Sequence, residues 1–482
     1  MNETTQNKPV YHRAKTWQIG LFALNPMASN LYYMMMLYIA YFASGVLGLG
    51  VAAASVLIMS LTLFDGIIDP MVGWFIDRTK GKYGKFRPFM LLGNLSMAFS
   101  LVLIYFSQYA GAMRIPMFIF AYVVYIFGHT AQFCITRAAL SVLTNDPKQR
   151  PIFSAFDMVA NIILYVGVMF LVSNYLVIKH GDFTGAMFGE FFVIIAFVAL
   201  TCTVLAMIGI WQKDRIEFFE LAEKSPKIKL RDGWNALRKN RSVQMLMISA
   251  GTDKLFSNLT TNAVVLVILY GIVCGDFALS GQLNLFVFVP TLIVSLLCIQ
   301  YARMLGQKEA FLFGSYGGLI FSVLIFLLFF FGEPSSLNFS EWGIFTILFF
   351  IFMIFRGGFM NVGRSIVIPM IADCADYEAA RSGKYLPGMI GAMFSSVDQL
   401  VNSLNTVIVG ALVILAGYRA SFPTVSTPYS DALFWVAMLC FCLLPAFGYI
   451  VNIICMKFYP LNKAKMAEVQ QTIRDIKANE IR

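Results

Sequence analysis

The chain has 482 residues, of which 59% are hydrophobic and only 13% charged, too few charges to cover the surface of a water-soluble globule of this size. That composition is that of a polytopic membrane protein. The formal net charge of +10 does not point to nucleic acid, because the lysines and arginines sit between apolar stretches without the interleaved aromatics of a nucleic-acid groove.

Lys8, Arg13 and Lys15 precede a first apolar segment with no small-residue cleavage site after it, which reads as an uncleaved first span. A spanning helix needs about 20 mostly apolar residues. Twelve segments qualify: 17–43, 46–76, 89–109, 115–142, 153–178, 187–211, 243–269, 277–302, 311–331, 343–372, 388–418 and 433–458. The connections after even-numbered spans hold 5, 2, 9, 2 and 2 Lys or Arg, whereas the odd-numbered ones hold only Arg114, Lys179 and Arg419, so both termini are expected in the cytoplasm. The longest connection contains "FFELAEK" and "DGWNALRKN", which read as short interfacial helices.

The expected architecture is an all-α membrane protein, twelve transmembrane helices in two six-helix pseudo-symmetric bundles, the plan of the major facilitator fold. Residues 1–211 would form the N-terminal bundle, 212–242 a cytoplasmic linker, 243–458 the C-terminal bundle and 459–482 a cytoplasmic tail. The eight cysteines show no metal-ligand spacing and read as space-filling thiols. No nucleophile elbow, nucleotide loop or metal cluster appears at the required spacing, so the chain is not expected to be an enzyme.

The second span carries Asp65 and Asp69 in "LFDGIIDPMVGWFIDRTKGKYGKFRP", four residues apart on one helical face. A carboxylate in hydrocarbon costs at least about 2.5 kcal/mol, so such residues have a partner or a role. One reading is an ion pair with the facing half. The other is a proton or Na⁺ site, since two close like charges favour a bound proton and two hard oxygens suit a cation. His129, beside Thr130 on the fourth span, is a candidate relay or a packing residue.

Three stretches carry a family resemblance: "FDGIIDPMVGWFIDRTKGKYGKFRPFMLLG", "LTNDPKQR" (Leu143 to Arg150) and "ADCADYEAARSGKYLPGMIGAMFSSVDQLVNSL" (Ala372 to Leu404). The chain resembles the glycoside-pentoside-hexuronide:cation symporters of the major facilitator superfamily. The resemblance implies a cation site of the two second-span aspartates, the residue before the second, and a Thr and an Asp three apart on the fourth span. Asp65, Asp69 and Thr130 match this pattern, whereas Ile68 and Phe133 stand where the family has polar ligands. Two of five ligands have become apolar, which favours H⁺, or no coupling, over Na⁺.

The resemblance also places the family's sugar-site positions at Ser29 or Asn30, Arg137, Asp157 and Gln399 beside Asp398, all changed in type. Asn25, Asn30 and Tyr33 remain available to hydroxyls, and Arg137 and Asp157 lie at matching depth in a helical hairpin, as a charge pair or with Arg137 free for a substrate carboxylate. Lys254 and Arg356 are further intramembrane cations that Asp253 or Asp398 would pair, or that would meet an anionic substrate group. Arg78 and Arg87 in the basic loop are expected to latch a gate against Asp373 and Asp376.

The resulting expectation is a secondary active transporter moving a glycoside, uronide or related small polar solute across the cytoplasmic (inner) membrane by alternating access, coupled to H⁺ or less favourably Na⁺. It needs no cofactor, no nucleic acid and no obligate protein partner. An uncoupled facilitator or transport-deficient substrate sensor of the same fold, and a transporter of lysolipids or other amphiphiles, are the alternatives.

Overall fold

The structure is a computed structural model that describes residues 13–78, 86–143, 149–214, 240–382 and 387–480. The motifs "FFELAEK" and "DGWNALRKN" lie outside the described residues. The described segments are helices joined by turns and loops, and nine of the described helices are long and apolar enough to cross a membrane. A tenth is a pair bent by 45°. The broken first helix and the second complete twelve.

In chain order they are α1 (16–46, interrupted near Ala23 and Tyr38), α2 (Val51–Arg78), α3 (Arg87–Ser107), α4 (Arg114–Leu143), α5 (150–180) and α6 (Gly185–Ile210). The second series is α7 (241–273), α8 (Ala278–Leu305), α9 (Gln307–Phe331), α10 (Ile344–Ser382), α11 (Pro387–Leu415) and α12 (431–458), followed by α13 (Lys463–Glu480). These follow the expected spans closely, with two physical departures. α7 bends where the Asn262 side chain accepts from the Val264 amide at 2.9 Å and so starts a new helical segment. α10 runs ten residues past its apolar stretch, because Glu378 binds Arg381 at 2.9 Å one turn on and accepts from Asn240 at 2.8 Å.

The described chain divides into two compact units. The first comprises residues 1–42, 64–168 and 183–225; the second comprises 43–63, 169–182 and 226–482. In the first unit α3 packs along α4, and α6 packs on α1 and α3. Small residues permit the α3–α4 approach, since a Cβ on Gly128 would lie 2.7 Å from the Gly93 carbonyl oxygen. This glycine immediately precedes His129 and Thr130, so it helps set their depth. The first unit also buries Asp214, whose carboxylate accepts from the Phe86 and Arg87 amides and from Arg87 Nε at 3.3 Å.

In the second unit α10 packs against α8 and α9, α7 against α11 and α12, and α13 against α10. A core of Val243, Leu246, Phe311, Met370 and Met456 ties four of these helices together.

Candidate functional site

In the first unit, Asp65 of α2 accepts a hydrogen bond from Thr130 Oγ1 of α4 at 3.1 Å. Thr130 is 1% exposed and Asp65 half-buried, so the bond is partly screened from water. Ile68 is buried, and Phe133 stands two-fifths exposed one turn along α4. The backbone of α2 stays helical through Asp69 and Pro70, but the side chains of Asp69 and Arg78 lie outside the described residues.

Above Thr130 the rings of α4 form a column. His129 stacks between Tyr125 (centroids 5.7 Å apart) and Phe133 (6.4 Å), the i, i±4 spacing that puts all three on one face. Tyr33 of α1 closes on the imidazole at 6.2 Å. The Tyr125 hydroxyl is buried and has no hydrogen-bond partner among the described residues.

A second polar group in this unit joins α1 to α5. Asn30 Nδ2 donates to Asn161 Oδ1 at 2.5 Å, and Asn161 Nδ2 donates to Asp157 Oδ1 at 2.8 Å, one helical turn earlier on α5. Asp157 is thus held by Asn161; the Arg137 side chain lies outside the described residues. Asn25 is fully buried and donates to Thr136 at 2.8 Å, and among the described residues its Oδ1 has no hydrogen-bond partner.

In the second unit the polar groups form a seam between α7 and α11. Lys254 Nζ lies 4.0 Å from Asp398 Oδ2, both side chains about half exposed. One turn on, Asn258 Nδ2 donates to Asn402 Oδ1 at 2.7 Å, and a turn further Asn262 meets Asn405 at 3.4 Å. Residues 254, 258 and 262 fall on one face of α7. Gln399 adjoins Asp398 and is partly exposed.

Arg356 is directed elsewhere. It is 6% exposed, donates to the Phe441 carbonyl of α12 at 3.0 Å and lies over the Phe441 ring at 4.3 Å, so among the described residues its charge is met by a carbonyl dipole and an aromatic face without a carboxylate. Arg364, further along α10, donates to Ser257 of α7.

The loop residues also have partners of their own. Arg87 binds Asp214 and lies 4.4 Å over the Trp211 ring, both at the end of α6. Asp376 accepts from Gln470 of α13 at 2.7 Å, and Asp373 lines a cavity of about 360 Å³ with Lys308, Lys463 and Gln470.

Asn161, Asn258 and Asn402 were not singled out by the sequence reading, yet a signal was there. The triplet Ser29-Asn30-Leu31 recurs as Ser257-Asn258-Leu259, and the pattern Ser-x-x-Asp-x-x-x-Asn recurs as Ser154 to Asn161 and Ser395 to Asn402. Each repeat yields the same amide-to-amide bond within its own unit, from the first helix of the half to the fifth. Five residues before the shared asparagine, Asn25 in the first half corresponds to Asp253 in the second.

The architecture has solved counterparts. A crystal structure of a D-xylose–proton symporter superposes with a TM-score of 0.61 at 13% identity, covering 92% of this chain and 97% of that one, which shows the fold. Among curated proteins, a putative glycoside/cation symporter of Escherichia coli (strain K12) is 23% identical over 448 residues, covering 91% of this chain and 90% of that protein. A glucuronide carrier protein homolog of the same organism is 22% identical over 459 residues, 93% of each chain. The family described as MFS/sugar transport protein matches residues 21–463, nearly the whole chain. With twelve membrane helices in the major facilitator fold and this match along them, the chain is a multi-pass membrane transporter and belongs to the MFS/sugar transport protein family.

Proposed function

We propose that the chain is a symporter that moves a glycoside, uronide or related small polar solute across the inner membrane, driven by the proton gradient through Asp65 and Asp69. Both termini are assigned to the cytoplasm on the distribution of Lys and Arg between the connections. The names of the relatives support a sugar-type solute and cation coupling. The choice of proton is supported by the sequence, in which Ile68 and Phe133 stand where the resembled family has polar ligands, while Thr130 Oγ1 donates to Asp65 at 3.1 Å. A Na⁺ ion needs a shell of several oxygens, whereas a proton needs a single carboxylate.

His129, stacked between Tyr125 and Phe133, is assigned to holding α4 and the Tyr33 ring in register and to relaying the proton. In the first unit the row Asn30, Asn161 and Asp157, with Tyr33 beside it, offers donors and acceptors to sugar hydroxyls, and Arg137 is assigned to a carboxylate where the solute has one. In the second unit Lys254, Asp398 and Gln399 have the exposure that solute contact requires. Asn25 and Arg356, both buried against neighbouring helices, are assigned to positioning these helices. Arg78, Arg87, Asp373 and Asp376 are assigned to the control of opening at the loop end.

Uptake into energised membrane vesicles tests the reading. A panel of glycosides, uronides and neutral sugars is offered with a proton gradient, with a Na⁺ gradient and with neither. Accumulation above the external concentration that collapses with a protonophore is expected; binding without accumulation under every gradient would sink the symporter reading.

A further inference from the structure

A cavity of about 660 Å³ opens in the second unit where α7 and α9 end and α12 begins. Each of the three ends is fixed locally. α9 stops at Gly332, whose amide donates to the Leu328 carbonyl at 3.0 Å and where a Cβ would lie 2.6 Å from that oxygen, so glycine lets the chain leave the helix abruptly. α7 gives way to Gly275 at φ +82°, a conformation that glycine adopts at no steric cost. α12 starts after Ser430, whose hydroxyl accepts from the Leu433 amide at 3.4 Å. These turns bring Glu333, just past α9, and Asp431, the first residue of α12, to the lining of one cavity.

Part of that lining is aromatic. Phe329 is buried, while Phe330 and Trp435 are about half exposed with ring centroids 6.2 Å apart, and Phe434 lies 5.9 Å from Trp435. The exposed part is acidic. Among the described residues no Lys, Arg or His lies within 4 Å of the Glu333 or Asp431 carboxylate. Asp431 Oδ1 receives the Tyr429 hydroxyl at 3.4 Å. The connections at this end of the second half add Asp276 and Glu341 against one cation, Arg419, so the local potential is negative although the whole chain carries +10.

This lining selects its ligand by charge. An anion is repelled by both carboxylates. A neutral apolar molecule would strip water from them and return no hydrogen bond, which costs free energy. A cation with an apolar body suits both parts, since its charge meets the carboxylates and aromatic faces and its body covers the rings. The volume lies in the range of pockets that hold drug-sized molecules. Exposed residues of the connections, Gly275, Ser335 and Tyr429, complete the lining, so the cavity is entered from the aqueous side.

We infer that this cavity binds a water-borne organic ammonium ion, a protonated amine with an aromatic or alkyl body. The site shares no residue with those assigned to the solute or the coupling proton, so it stands or falls separately from the symporter reading.

The purified chain in a neutral maltoside detergent is titrated calorimetrically with phenylbutylammonium and with phenylbutanol, a neutral probe of nearly the same shape. The parent is expected to bind the amine about tenfold more tightly than the alcohol, and added salt to shrink the difference. Glu333→Gln/Asp431→Asn is expected to bind the two probes alike, whereas Asp65→Asn keeps the parent's preference. Equal binding of the probes by the parent, or an unchanged preference in the double variant, overturns the inference. Should the double variant not fold, the salt titration of the parent decides, and a preference that salt leaves unchanged overturns it. A last arm adds phosphatidylethanolamine to the micelles: amine binding that persists supports the water-borne ligand, and its loss would place a lipid headgroup in the cavity and overturn the assignment.

Discussion

Asn161 receives the amide of Asn30 at 2.5 Å and hands its own to Asp157 at 2.8 Å, so three side chains on two helices form one polar row. An interhelical amide bond inside a membrane protein averages about 0.6 kcal/mol, too little to explain the row as a fold requirement. Asn161→Leu is therefore expected to leave expression and thermal stability nearly unchanged while weakening solute binding about tenfold, as loss of hydrogen bonds worth about 1.4 kcal/mol would. Isothermal titration of the parent and variant with the best-transported solute checks this; equal affinity refutes the role of the row.

Asp65→Asn and Asp69→Asn are each expected to abolish accumulation against a gradient while leaving solute exchange across the membrane. Thr130→Val, which keeps the shape and removes the donor to Asp65, should lower the accumulation ratio severalfold and leave exchange intact. Parallel uptake and counterflow assays in vesicles separate the two properties. Full accumulation by both aspartate variants would remove the pair from coupling.

Replacement of Na⁺ by choline is expected to leave uptake unchanged, because Ile68 and Phe133 supply no oxygen to a cation shell. Saturable stimulation by Na⁺ would show that backbone or water oxygens complete one.

Asp214 predicts a contrast in stability. Its side chain is fully buried and accepts from two backbone amides and from Arg87, so Asp214→Ala strands three donors. Arg87→Ala instead leaves a buried carboxylate still held by the amides. Loss of one partner of a buried pair costs about 3–5 kcal/mol. Both variants should lower the unfolding temperature in detergent, Asp214→Ala by the larger amount, and Asp214→Asn least of the three.

The fold was legible from hydropathy, because spans of about 20 apolar residues have few other readings and the longest polar connection divides them six and six. The ends were less so: α10 continues through Asp373, Asp376 and Glu378, where helical hydrogen bonding and the Glu378–Arg381 pair outweigh a drop in hydropathy. Among the candidate residues, charge drew attention and asparagine did not. Arg356 shows why charge alone misleads, since a carbonyl and an aromatic ring satisfy its guanidinium where charge counting looks for an acid. The Asn30–Asn161 and Asn258–Asn402 bonds were hidden because neutral amides raise no alarm in a sequence, and their repetition becomes visible only when the two halves are set in register.

α10 has 39 residues, which at 1.5 Å per residue is about 58 Å, nearly twice the hydrocarbon thickness of a bilayer. Its last ten residues, beyond the apolar stretch, therefore form a handle carrying Asp376 and its contact with Gln470 about 30 Å along the axis from buried Arg356. A spectroscopic probe attached beside Asp376 would thus register movements of the membrane-buried portion of the same rod from a position that reagents reach freely.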